Sequence, residues 1–132
     1  MRAGSDGSVM EGLRARAARQ PGLMLLVLFG SRARGDGSAR SDWDFGYLAD
    51  RSLDPSVLMA ELAEAAGSER LDVVDLARAS GLLRFRAARD GVLVYQATPG
   101  CFDRFRFEAA RFWFDAEPVL RAGYDAVLDR LG

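Results

Sequence analysis

Two kinds of apolar pattern alternate along this chain. Leu23-Met24-Leu25-Leu26-Val27-Leu28-Phe29 is an unbroken apolar run of strand length, the pattern of a strand covered on both faces. Shorter stretches of strand character follow at Trp43–Ala49, Leu71–Leu76 and Val92–Gln96. Between them, apolar residues recur at helical spacing, as in Leu58, Leu62 and Ala65.

Start and stop signals bound these helices. Ser8-Val9-Met10-Glu11 is a capping box that opens a helix to about Gln20, where Pro21-Gly22 stops it. Residues 1–7, rich in Gly, Ser and Asp, are expected to be disordered. Asp54-Pro55 supplies an N-cap and a first-turn proline, and Gly67 closes that helix. Ser80 caps another helix running to Asp90, and Gly91 ends it. After the turn at Thr98-Pro99-Gly100, residues 101–132 are expected to form C-terminal helices, broken near Glu117-Pro118. Strands alternating with helices place residues 1–132 in one α/β (α+β) domain of at most three layers.

Composition narrows the chemistry. The chain has no His, and all 18 of its basic residues are Arg; Ile and Asn are also missing, a bias that points to a GC-rich, bacterial genome. Without His there is no Ser-His-Asp or Cys-His pair and no His-ligated zinc. Without Lys there is no Schiff base and no P-loop lysine. A net charge of −1 gives no general pull toward nucleic acid or an acidic membrane. The single Cys101 cannot close an internal disulfide and reads as an inert apolar residue in a reducing cytosol. No leader sequence is visible, and no apolar run reaches the ~20 residues that span a bilayer, so the expectation is a cytoplasmic protein. Any metal chemistry must rest on Asp and Glu.

The stretch from Leu28 to Phe45 carries that chemistry. A buried strand ends at Gly30, and Ser31 opens a short turn whose free N–H groups and hydroxyl suit a phosphate. Glycine at position 30 lets a phosphate come close to the backbone. Asp42 and Asp44, two apart on a predicted strand, point to one face, while Trp43 and Phe45 point to the other. Gly46 shares the carboxylate face and is expected to leave it uncrowded. Adjacent carboxylates repel unless a cation joins them, and hard oxygen donors favour Mg²⁺ or Mn²⁺, which arrives with phosphates. A phosphate cradle followed by a paired-Asp strand predicts metal-dependent chemistry on a nucleoside triphosphate.

Gly30-Ser31, a ten-residue interval and Asp42-Trp43-Asp44 together resemble the signature of the DNA polymerase β nucleotidyltransferase superfamily. The Gly30–Gly35 sequence is similar to that of its minimal nucleotidyltransferase (MNT) group, as are Leu71–Leu76, Leu83–Arg86 with Asp90–Tyr95, and the aromatic helix with Pro118. The resemblance covers about residues 20–130. It implies a nucleotidyltransferase palm, a small mixed β-sheet flanked by helices. It implies that Gly30, Ser31 and nearby N–H groups hold the triphosphate of ATP. Asp42, Asp44 and a third carboxylate would bind two Mg²⁺ ions. The implied reaction moves AMP from ATP to an acceptor hydroxyl. Many such proteins are antitoxins that adenylylate a tyrosine of a HEPN-type toxin, so the implied partners are that toxin and ATP.

Asp72 and Asp75 are both candidates for the third carboxylate. Three apart on one strand, they face opposite sides, and local pattern does not choose. The resemblance favours Asp72, which would help remove the acceptor proton. Among Arg32, Arg34 and Arg40, Arg34 is the first candidate for touching the triphosphate and Arg32 the second, because guanidinium forks match phosphate oxygens. Arg84, Arg86 and Arg89 read as a solvated helix face. Phe102, Phe105, Ala109 and Phe112 follow core spacing, whereas Phe107 and Phe114 lie on another flank that could anchor a partner. That flank motivates an alternative, a non-catalytic antitoxin that neutralises its partner by occlusion. A small-molecule acceptor is a further alternative, and a template-directed polymerase is disfavoured by the absence of basic excess.

Overall fold

The structure, a computed structural model, describes residues 2–30, 33 and 42–114, with side chains from Gly7 to Trp113. Among the described residues, four long helices and four strands follow in the order α1 (Arg2–Ala18), β1 (Leu23–Phe29), β2 (Trp43–Ala49), α2 (Pro55–Ala66), β3 (Leu71–Asp75), α3 (Gly81–Asp90), β4 (Val92–Gln96) and α4 (Cys101–Phe114). The predicted break at Glu117-Pro118 lies outside the described residues. Helix α1 starts at Arg2, upstream of the Ser8 capping box where the helix was expected to open.

The strands form one mixed sheet in the order β3-β2-β1-β4. β1 runs antiparallel to β2 and to β4, while β2 and β3 are parallel. Placing the most apolar strand in the interior of the sheet fits its sequence, since helices cover both of its faces. On one face Leu13 and Ala17 of α1 and Leu58 and Leu62 of α2 pack on Leu26, Leu28, Trp43, Phe45 and Val94. On the other, Ala87 and Ala88 of α3 and Phe102, Phe105 and Ala109 of α4 pack on Leu25 and Val27. Met24 is the exception in β1, 41% exposed where the β1–β2 register slips between Leu23 and Leu25.

Helix boundaries follow their caps. The Asp54 carboxylate accepts from the N–H groups of Ser56 and Val57, and Gly67 closes α2 in the left-handed region at φ 68°. The Ser80 hydroxyl accepts from Leu83 N–H at the start of α3. In α4 the core stripe is corrected at its end. Phe112 is 63% exposed and Trp113 is buried in its stead, stacked on Phe85 with ring centroids 5.3 Å apart. Phe102, Phe105 and Ala109 continue equally well to either residue by spacing, and the position of α3 selects the tryptophan. Arg84 is a second correction: it lies over the Phe105 ring and donates to the Leu76 carbonyl, so it ties α3 to α4 and to the residue that follows β3 rather than lining a solvated face.

Candidate functional site

β1 ends at Gly30, where the chain turns with φ +84°, a backbone conformation that favours glycine. This turn lies against Asp44. Phe29 is the register partner of Asp44, and a Cβ built on Gly30 would fall 2.5 Å from Asp44 Oδ2. The glycine predicted for close approach of a phosphate is therefore also what gives the Asp44 carboxylate its room. Ser31 and Arg34, the other predicted phosphate contacts, lie outside the described residues, as do Arg32 and Arg40.

β2 carries Asp44 on the face opposite Trp43 and Phe45, whose rings stack at 6.0 Å within the core. Gly46 lies two residues on, and its role differs from the expected one. A Cβ there would meet three Leu76 side-chain carbons at 2.8, 2.9 and 3.0 Å. The space beside Asp44 is thus filled by the fully buried Leu76 rather than left open.

The β2–β3 register separates the two candidates for a third carboxylate. Asp44 pairs with Asp72, and Tyr47 pairs with Asp75. Register partners in a parallel pair share a face, so Asp72 lies beside Asp44 while Asp75 lies on the other side of the sheet with Tyr47. Asp75 has local partners there: it accepts from Ala77 N–H and faces Arg78 at 3.8 Å.

The electrostatics agree with this grouping. Partial burial pushes the Asp44 carboxyl above its ordinary range, and the negative charges of Asp72 and Asp42 push it further in the same direction. Asp42 stands at the entry to β2, where its Oδ1 accepts from Arg70 Nε at 3.0 Å. Arg70, which sequence reasoning missed, lies 28 residues away in the chain. Its only local signal is that it stands two positions before Asp72.

Among the described residues, no three or more Asp, Glu, His or Cys side chains are already gathered around a point that could hold an ion. The donors nevertheless fit a hard divalent cation. All are carboxylate oxygens, and their mutual repulsion at Asp44 is what such an ion would offset. No described helix is long and apolar enough to cross a membrane.

Known proteins resemble this chain in sequence and in fold. Residues 11–99 match the family model described as polymerase beta, nucleotidyltransferase. Over 98 residues the chain is 37% identical to protein adenylyltransferase MntA of Aphanizomenon flos-aquae. That match spans 65% of this chain and 65% of the curated relative's length. Among solved structures, a chain of a toxin–antitoxin with AMP-PNP superposes with a TM-score of 0.65 at 28% identity, covering 95% of this chain and 96% of that one. A chain from the complex of tri-AMPylated Shewanella oneidensis HEPN toxin with MNT antitoxin gives a TM-score of 0.60 at 26% identity, covering 99% and 98%.

Proposed function

Because the chain belongs to the polymerase beta nucleotidyltransferase family, we propose that it transfers AMP from ATP to a hydroxyl, a tyrosine, of a HEPN-type toxin and so acts as its antitoxin. The observation that carries this reading is the Asp44–Asp72 register pair beside the Gly30 turn. The likeness to an MntA adenylyltransferase and to chains from toxin–antitoxin complexes supports both the reaction and the partner. We place the reaction in a bacterial cytoplasm.

Asp42, Asp44 and Asp72 are the residues that would hold two Mg²⁺ ions. When bound, these ions supply charge neutralisation on the phosphates and a lowered pKa for the attacking hydroxyl. The chain's own groups do the rest. Gly30, Ser31 and Arg34 bind and orient the triphosphate so that its α-phosphorus faces the carboxylates. Asp72, the exposed member of the pair, takes the hydroxyl proton as the acceptor oxygen bonds to that phosphorus. The bond from the α-phosphorus to the bridging oxygen breaks, and pyrophosphate leaves.

The test is incubation of labelled ATP, Mg²⁺ and the cognate toxin with the wild-type protein and its variants. Label on the toxin is expected with wild type. Asp42→Ala is expected to abolish it, Asp72→Asn to reduce it by at least ~10²-fold, and Asp75→Asn to leave most of it. Equal labelling by Asp42→Ala overturns the reading, and loss with Asp75→Asn but not Asp72→Asn reassigns the third carboxylate. Occlusion is the second reading. The 65% exposure of Phe107 and 63% exposure of Phe112 on α4 favour it, since exposed aromatics anchor partners. Protection of cells by the Asp42→Ala/Asp44→Ala protein would select it.

A further inference from the structure

Arg70 is fixed to β2 at its main chain before its side chain reaches Asp42. Its carbonyl accepts from Trp43 N–H at 2.9 Å, and its own N–H donates to the Ser68 hydroxyl at 3.1 Å. One step back from the Trp43–Leu71 register pair, this places Arg70 alongside Asp42. The guanidinium Nε then donates to Asp42 Oδ1 at 3.0 Å, with the two side chains 63% and 52% exposed. Among the described residues, this is the cation seated on the carboxylate group.

A divalent ion brought to Asp42 Oδ1 would have to share that oxygen with the Arg70 guanidinium, and the two cations repel. The solvent around an exposed pair makes that opposition modest rather than prohibitive. We propose that Arg70 is a positioning residue that orients Asp42 in the metal-free protein and competes with divalent cations for its carboxylate. The site then fills when a triphosphate supplies further oxygen ligands. This rests on the reading of Asp42, Asp44 and Asp72 as metal-holding residues.

The test is a titration of the full chain with Mn²⁺, without nucleotide, following the paramagnetic resonance signal of free Mn²⁺. Arg70→Met keeps an unbranched apolar stem and removes the charge; it is expected to bind Mn²⁺ about two- to fivefold more tightly than wild type, the range for an exposed ion pair. Arg70→Lys keeps the charge and is expected to return binding toward the wild-type value. Arg78→Met removes an equal charge beside Asp75, on the other face, and is expected to change nothing. Unchanged or weaker binding by Arg70→Met overturns the proposal, as does equal tightening by Arg78→Met. Asp44→Asn keeps the two outcomes apart. If Mn²⁺ binding is indifferent to it, the metal-site reading fails; if binding needs Asp44 but ignores Arg70, only the competition fails.

Discussion

Replacing Gly30 with alanine imposes two separable costs. The first is conformational: at φ +84° an alanine pays about 1–2 kcal/mol for the left-handed backbone. The second is steric. The new Cβ would lie 2.5 Å from Asp44 Oδ2 and 3.3 Å from Asp44 Cγ, and overpacking of this kind adds about 1–3 kcal/mol. Together they predict a loss of about 2–5 kcal/mol, or about 1–3 M in the urea midpoint at an m-value of about 1.5 kcal/mol/M. Gly67→Ala is the internal control, because Gly67 has φ +68° and nothing within 4 Å of its would-be Cβ; it is expected to lose only about 1–2 kcal/mol. Asp44→Ala removes the atoms at 2.5 and 3.3 Å and leaves the Asp44 Cβ at an ordinary 3.5 Å. In a double-mutant cycle, Asp44→Ala should therefore recover the steric part, an interaction energy of about 1–3 kcal/mol. Urea denaturation of the four cycle members and the Gly67 control supplies every term. Equal losses at Gly30 and Gly67, or a cycle that is additive, would refute the claim that the β1 turn shapes the carboxylate site.

Two further outcomes follow from the same face of the sheet. In the folded chain the Asp44 carboxyl titrates above its ordinary value of 3.8, so between that value and its folded value the native state holds more protons than the unfolded one. Stability is then gained as pH falls through the folded value, and at neutral pH the ionised group is a burden. Asp44→Asn should raise the melting temperature at pH 7 in chelator, with the gain shrinking toward pH 4; a gain that grows on acidification would contradict this. Gly46→Ala should lose about 1–3 kcal/mol through its contact with the buried Leu76, measured by denaturant titration, and a neutral effect would show that Leu76 can move aside.

The strand and helix order was legible because periodicity and caps are local signals. Asp54, Gly67 and Ser80 do in three dimensions what their places in the sequence suggested. The Gly30 turn and the alternation of Asp44 with Trp43 and Phe45 were equally local. What escaped depended on contacts between distant segments. Asp72 and Asp75 are equivalent within their own strand, and only the parallel pairing with β2 distinguishes them. Phe112 and Trp113 both extend one stripe, and the Phe85 ring decides between them. Gly46 was read as empty space because Leu76, thirty positions downstream, could not be foreseen over it. Arg70 belongs to the same class, since its meaning comes from Asp42 across the sheet.

The order β3-β2-β1-β4 distributes the two paired carboxylates unequally. Asp44 rides on a strand hydrogen-bonded along both margins, so its backbone is released only when the sheet itself comes apart. Among the described residues Asp72 rides on a rim strand with one such neighbour, where opening is far less demanding. The Asp44 side of the pair is consequently stiff and the Asp72 side compliant.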